Sequence, residues 1–286
     1  MLTRQYGYLW ANPQQQDDVS SAAKTLETEG GCVLRAAFTL AEVDELRRAI
    51  DQVFSDYAPD QRSPSRTAVA DSEFRYEMLN RSLACLAAVA KPEILAAIEP
   101  LLGEDCHIIA NTAWRNQPKP NDASQAWHVD GGPHIPLPKG TAWPSHLPHP
   151  VFAIGCHILL QNCTLADGPT GFVPGSHRSG RPPPGRQLFD PALTFEDRGG
   201  VALTGQAGDV LLFVSDVWHR RMPTGPTDQG RYFLQVHYGR RDIQQRLRTT
   251  SDHHQLSASV LARLEHEDSQ RLRQLVGQHE PGFYDG

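Results

Sequence analysis

The sequence contains no long apolar run. No segment approaches the roughly 20 consecutive apolar residues that span a bilayer, and the opening "MLTRQYGYLWANPQQQDD" lacks the continuous apolar stretch of a signal peptide. The expectation is a chain with no membrane partner, working in the cytoplasm. There is no basic run with interleaved aromatics, and a formal charge of −6 gives no broad attraction to nucleic acid. Cysteine is scarce: Cys32, Cys85, Cys106, Cys156 and Cys163 are five scattered residues with no C-x-x-C pair. That usage argues against a disulfide frame or a zinc ribbon and fits a reducing compartment, with most of these thiols acting as small core residues. Internal repeats and low-complexity tracts are also missing.

What remains is a globular composition over 286 residues, enough chain for a substantial core. The first hundred residues read as helices. Residues 17–29 place Val19, Ala22, Ala23 and Leu26 on one side of a helix, and "GCVLRAAF" then reads as a short buried strand. "TLAEVDELRRAIDQVFSDY" is the clearest helix: Thr39 and Glu42 form a capping box, and Val43, Leu46, Ile50, Val53 and Phe54 share a face. "SLACLAAVAKPEILAAIEPLLG" predicts two short helices, with Pro92 in the first turn of the second and Gly103 as its stop.

After Gly103 the pattern changes. "CHIIANTAW", "VFAIGCHILLQ", "TGFVP", "GVALT", "DVLLFV" and "RYFLQVHYG" are short, apolar or alternating, and bounded by Gly, Pro and Asp. No crossover helix separates them, so a parallel α/β sheet is excluded. Helices followed by many strands predict a mostly β protein, an antiparallel sandwich or barrel with a helical outer layer. The expected organisation is one domain over 1–286, with a largely helical part over 1–103, a β core over 104–245 and a helical tail over 246–286.

"AWHVDGG" carries the chemistry. Alternate side chains of a strand share a face, so His128 and Asp130 point the same way and Val129 points away. An imidazole and a carboxylate there supply two of the three ligands of a facial metal triad, and Gly131-Gly132 allow a tight turn beside them. The third ligand must come from a distant strand; His219, just past the buried "VLLFV" run, fits best. Twelve positions later Arg231 opens another strand. An arginine entering a β core is costly unless it meets an anion, and its fork suits a carboxylate. A dicarboxylate with one end on the metal and the other on Arg231 satisfies all four residues. Two other classes stay open on these residues: a non-catalytic binding protein on the same fold, and a cupin-like metal enzyme that needs no cosubstrate.

"WHVDGG", "LLQNCTLADGPTGFVPGSHRSG", "GDVLLFVSDVWHR" and "GRYFLQVHYG" together resemble the phytanoyl-CoA dioxygenase family of iron(II)- and 2-oxoglutarate-dependent oxygenases, and "LETEGGCVLRAAFTLAEVDEL" is similar to that family's opening. The resemblance implies a double-stranded β-helix, a cupin-like jelly roll of two sheets with helices packed on one. It implies His128, Asp130 and His219 as iron ligands and Arg231 as partner of the distal carboxylate of 2-oxoglutarate. O₂ is the co-reactant and a small molecule the substrate, hydroxylated at an unactivated C–H bond with release of succinate and CO₂. His157 falls where relatives often place an aromatic residue against the cosubstrate, and Asn111 and Gln125 are further candidates for that contact. Asp130 fills the position that halogenating relatives leave open, so chlorination is not expected. Arg221 departs from the small hydroxyl residue that some relatives carry two places after the distal histidine; it either adds a second charge to the cosubstrate or faces solvent, and the expectation is that it faces solvent. His177 is expected to structure the "PGSH" turn. His134, His146 and His149 are expected to be exposed or substrate-facing in a loop over 133–150 that forms a lid with Trp143, and Arg178, Arg181 and Arg186 to form a solvated surface. No CoA-binding signature is visible.

Overall fold

The computed structural model describes residues 20–59, 73–144, 146–243, 256–265 and 270–279, together with two short strands, β1 (Arg4–Gln5) and β2 (Tyr8–Leu9), that pair with each other. Helix α1 (Ser21–Glu29) is capped by Ser20, whose hydroxyl accepts from the Ala23 N–H, and it buries Ala23 and Leu26. The predicted start of this helix, including Val19, lies outside the described residues. Strand β3 (Gly31–Leu34) is shorter and less buried than the "GCVLRAAF" run predicts, because it is an edge strand. Helix α2 (Leu40–Asp56) has the predicted capping box, and the predicted stripe of Val43, Leu46, Ile50, Val53 and Phe54 is its buried face.

Strand β4 (Phe74–Tyr76) and helix α3 (Met78–Arg81) are elements that periodicity did not announce; each is too short to hold a pattern. Helices α4 (Leu83–Ala88) and α5 (Pro92–Leu102) follow as predicted, with Pro92 in the first turn of α5 and Gly103 at its end. The β region then supplies β5 (His107–Asn116), β6 (Ala153–Leu159), β7 (Thr170–Phe172), β8 (Thr194–Phe195), β9 (Arg198–Gly199), β10 (Val201–Leu203), β11 (Val210–Val214), β12 (His219–Arg221) and β13 (Arg231–Gly239). Helices α6 (Ala258–Leu264) and α7 (Gln270–Leu275) form the described part of the tail.

The result is mostly antiparallel sheet with a few helices. A six-stranded sheet has the order β3-β11-β6-β13-β5-β4 and a three-stranded sheet the order β10-β7-β12. Strand alternation decides what each face of the larger sheet meets. Ile154, Cys156 and Ile158 of β6, Leu212 of β11, and Leu234 and Val236 of β13 point outward and share a core with Val43, Leu46, Ile50, Ile98 and Leu101 of α2 and α5. The helices therefore cover one sheet. The intervening residues point inward: Leu159, Leu211, Phe213 and Phe233 pack against Phe172 and Leu203 of the small sheet. Burying each such side chain stabilises the fold by about 1.5–3 kcal/mol. Polar residues on this inner face are the exceptions to that packing, and they build the site.

Candidate active site

His128, Asp130 and His219 come together. Their ligand atoms all lie within 4.8 Å of one another, and they are the one such group of metal-binding side chains among the described residues. Backbone pairing sets this convergence. His128 and His219 form an isolated antiparallel bridge, each N–H donating to the other's carbonyl at 2.9 Å, and the Asp130 N–H donates to the Ser215 carbonyl at 2.9 Å. The segment before the bridge is fixed by Trp127, which is fully buried and donates its indole N–H to the Asp190 carbonyl at 3.0 Å. The Arg220 guanidinium lies 4.2 Å over the Trp127 ring. His219 thus opens β12, rather than trailing β11 as the sequence implies, and its backbone reaches the H-x-D segment directly. Gly131 follows with φ +73, the left-handed turn expected there.

Tautomer and charge suit a metal. His128 Nδ1–H donates to the Ala126 carbonyl and His219 Nδ1–H to the Val217 carbonyl, both at 2.9 Å. Both Nε2 atoms are left with free lone pairs, aimed at Asp130: His219 Nε2 is 3.3 Å from Oδ2 and His128 Nε2 3.7 Å from Oδ1. Burial alone would raise the Asp130 carboxyl, but the imidazoles of His219, His237 and His128 hold it well below the usual carboxylate range, so it is an anion. Burial pushes the His128 imidazole down. For His219 the neighbouring Asp130 carboxylate outweighs burial and pushes the imidazole up. Two imidazoles and one carboxylate converging from one side are a donor set that suits iron(II).

The triad opens on a cavity of about 360 Å³ between the two sheets. Trp114, Asn116, Gln125, His157, Thr170, Phe213, Arg221, Arg231, Phe233 and Gln235 line it with the triad. A larger groove of about 720 Å³ runs between α1 and β10, but its lining holds no converging ligand set and it carries none of this chemistry. Arg231 also lines the cavity; the residue is half-buried and its guanidinium lies on the covered side. Its Nη2 reaches Asn116 Oδ1 at 3.4 Å, while its Nε is buried without a partner. Burial first, and the nearby Arg221 next, push its guanidinium down to about 10, still a cation at neutral pH.

The other expected contacts divide. Gln125 lines the cavity. His157 lies on the inner face of β6, packed on Phe213 and Phe233 with Nδ1 3.4 Å from Thr170 Oγ1 across to the small sheet. Burial, and then the Arg231 charge, hold it well below its ordinary value, so it is neutral. Asn111 is a correction. It falls on the outer face of β5, where its Oδ1 accepts the buried Leu79 N–H at 3.1 Å, and it is not among the cavity residues. Trp114 and Asn116, odd-even out of step with it, hold the inward positions. Arg221 is a second correction: its side chain is 9% exposed and lines the cavity instead of facing solvent. Also unforeseen are Gln235 and His237, which continue the inward face of β13 from Arg231; Trp114 Nε1–H donates to Gln235 Oε1 at 2.7 Å, and Gln235 Nε2 to His237 Nε2 at 3.1 Å. The alternation of "RYFLQVH" carried the signal for both.

The family description of phytanoyl-CoA dioxygenase (PhyH) matches residues 26–223. The chain belongs to the phytanoyl-CoA dioxygenase family. It is therefore an iron(II)- and 2-oxoglutarate-dependent oxygenase by family. Comparison with curated protein sequences gives no match. Solved structures similar in fold include EctD from S. alaskensis with bound Fe, at 22% identity over 84% of this chain and 83% of that one with a TM-score of 0.61. HygX from Streptomyces hygroscopicus, with nickel and 2-oxoglutarate bound, is 14% identical over 81% and 89% of the two chains, TM-score 0.58. The non-heme alpha ketoglutarate dependent carbocyclase SnoK from nogalamycin biosynthesis is 17% identical over 79% and 86%, TM-score 0.55. Likeness at these identities establishes the fold.

The remaining landmarks of this PhyH-family chain bound the site. His177 structures the "PGSH" turn: its Nε2–H donates to the Glu27 carbonyl at 2.9 Å, far from the triad's ligand group. His134 and His149 are not exposed. His134 is bonded to Asp216, which precedes β12, and His149 is buried between Trp143 and His177. His146 is exposed as expected. Arg181 does not lie free on the surface; it donates to the Pro138 carbonyl at 2.6 Å and the Thr141 carbonyl at 3.1 Å, tying down the loop that carries Trp143. Arg178 pairs with Glu196 at 2.8 Å. No described helix is long and apolar enough to cross a membrane.

Proposed function

We propose that this protein hydroxylates an unactivated C–H bond of a small-molecule substrate, with His128, Asp130 and His219 holding iron(II), Arg231 holding the distal carboxylate of 2-oxoglutarate, and succinate and CO₂ released. The observation that carries the reading is one cavity with a three-donor cluster at one place and a buried, under-partnered guanidinium at another. Iron(II) and 2-oxoglutarate bound there supply O₂ activation coupled to oxidative decarboxylation. The chain's own residues do the rest. The two carbonyl-held imidazoles offer Nε2 without rearrangement, and Asp130 brings the negative charge that offsets a divalent cation. Arg231, in a dry pocket, gives a carboxylate a charge-assisted fork. Phe213, Phe233 and Trp114 supply the apolar part of that pocket's wall, and neutral His157 packs beside it without competing for the anion. Gln125 lines the approach.

On this reading the six-stranded and three-stranded sheets are the two faces of a double-stranded β-helix, supported by the apolar cluster they share. The helices that cover the larger sheet support reading the chain as one domain over 1–286. Five free cysteines support a cytoplasmic setting. The test is spectroscopic. Under anaerobic conditions iron(II) plus 2-oxoglutarate gives a weak visible charge-transfer band, absent in His219→Ala and weakened in Arg231→Ala. A band with no succinate on admitting oxygen points to a binding protein, and metal-dependent turnover indifferent to 2-oxoglutarate points to a cupin-like enzyme.

A further inference from the structure

Arg221 stands on β12, two residues past His219, and its side chain enters the same cavity as Arg231. Room for it comes from the turn before β7: Gly168 has φ +61, and a Cβ there would lie 3.1 Å from Arg221 Nε. The side chain is buried, and its Nε and Nη2 have no hydrogen-bond partner. Its nearest carboxylate, Asp122 Oδ2, is 4.0 Å from Nη1, beyond hydrogen-bond reach. Arg231 Nε is unpartnered as well, and the two guanidiniums repel each other.

The acids nearby are committed elsewhere. Glu73 takes Lys119, the Asn116 amide and the Gln117 N–H. Asp228 takes the backbone N–H groups of Lys119 and Gly230. Asp167 takes Thr164 and the Gln229 N–H. Two buried like charges with three unpaired N–H-bearing nitrogens are costly, unless an anion with several acceptor oxygens completes the set.

We infer that Arg221 is a second anion-holding residue, and that the distal carboxylate of the cosubstrate is clamped between Arg221 and Arg231 rather than held by Arg231 alone. The inference rests on the cosubstrate reading above. It gives this chain a stronger demand for a carboxylate at the far end of the 2-oxo acid than one guanidinium makes. A small hydroxyl at position 221 would supply one hydrogen bond and no charge. The clamp also makes the ligand-free pocket self-repelling, so a dicarboxylate adds stability as it binds.

Calorimetric titration of 2-oxoglutarate and of 2-oxobutyrate, which lacks the distal carboxylate, into the iron(II)-loaded protein without oxygen tests this. Arg221→Gln is expected to weaken 2-oxoglutarate binding by about tenfold to a hundredfold, leave 2-oxobutyrate within about twofold, and raise the melting temperature of the ligand-free protein. Arg221→Lys, which keeps the charge, is expected to recover part of the loss. Unchanged 2-oxoglutarate affinity in Arg221→Gln overturns the inference. So does an equal loss for both acids, or a loss as large in Arg221→Lys as in Arg221→Gln. Should Arg231→Gln abolish 2-oxoglutarate binding while Arg221→Gln leaves it unchanged, the clamp falls and the cosubstrate reading stands; should the unaltered protein bind neither acid, the reading itself falls and the clamp with it.

Discussion

Asn111 and Asn116 belong to one strand, yet only one of them meets the cavity. Their odd separation of five positions, with the strand's two-residue repeat, puts Asn116 beside Arg231 and Asn111 against the helices. Asn111 accepts the buried Leu79 N–H, and its removal leaves that donor unpaired. Asn111→Ala is therefore expected to cost about 1–3 kcal/mol of stability with no change in 2-oxoglutarate affinity; urea unfolding and a ligand titration read the two effects separately, and a weakened ligand with unchanged stability would put Asn111 in the site after all. The convergence of the triad and Arg231 was legible because an H-x-D pair, a histidine after a buried strand and an arginine opening the next strand stand in an order that a metal and an anion together explain. Asn111 was not, since an amide serves a buried backbone donor as readily as a ligand. Arg221 was misread for a related reason: arginine is so often on the surface that only the tertiary packing behind Gly168 reveals its burial.

Elements with a full period were legible, and those without one were not. Strand β13 runs over Arg231–Gly239 as the alternation predicted, and α2 carries its predicted cap and stripe. Strand β12, only three residues of His-Arg-Arg, has no apolar pattern, although it delivers both His219 and Arg221. The loop between Asp130 and β6, expected to form a lid with Trp143, is pinned by His134 to Asp216 and by buried His149 against His177 of the turn after β7. This docking carries a pH dependence. Burial first, then His149, pushes His177 down to about 3, and burial lowers His149 as well. In the unfolded chain both titrate near the ordinary histidine value of about 6.5. Below that pH the unfolded state binds protons that the folded state refuses, so stability falls as pH falls, by about 1.4 kcal/mol per pH unit for His177, until pH about 3 where the folded form takes its proton. Urea midpoints of the metal-free protein at pH 7 and pH 5 are expected to differ less in His177→Asn than in the unaltered chain. Equal differences would mean that His177 is not the buried neutral group described.

At the scale of the molecule, the order of elements carried the architecture. A helical first third followed by strands without crossovers permits only antiparallel sheet, and the helices then have one open face to cover. Which strands sit side by side was beyond that reading, because β3 pairs with β11 about 180 positions away and no local pattern records such a distance. That long-range order is what brings position 128 to position 219 and sets Arg231 in the wall of the same cavity. The most direct measurement of the central claim is anomalous scattering at the iron edge from crystals of the iron(II)-loaded protein grown without oxygen in the presence of 2-oxoglutarate. The account predicts one iron per chain, bonded to His128 Nε2, Asp130 and His219 Nε2, with the distal carboxylate of 2-oxoglutarate on Arg231. Iron bound at any other residues, or a cosubstrate whose far end points away from Arg231, would contradict it.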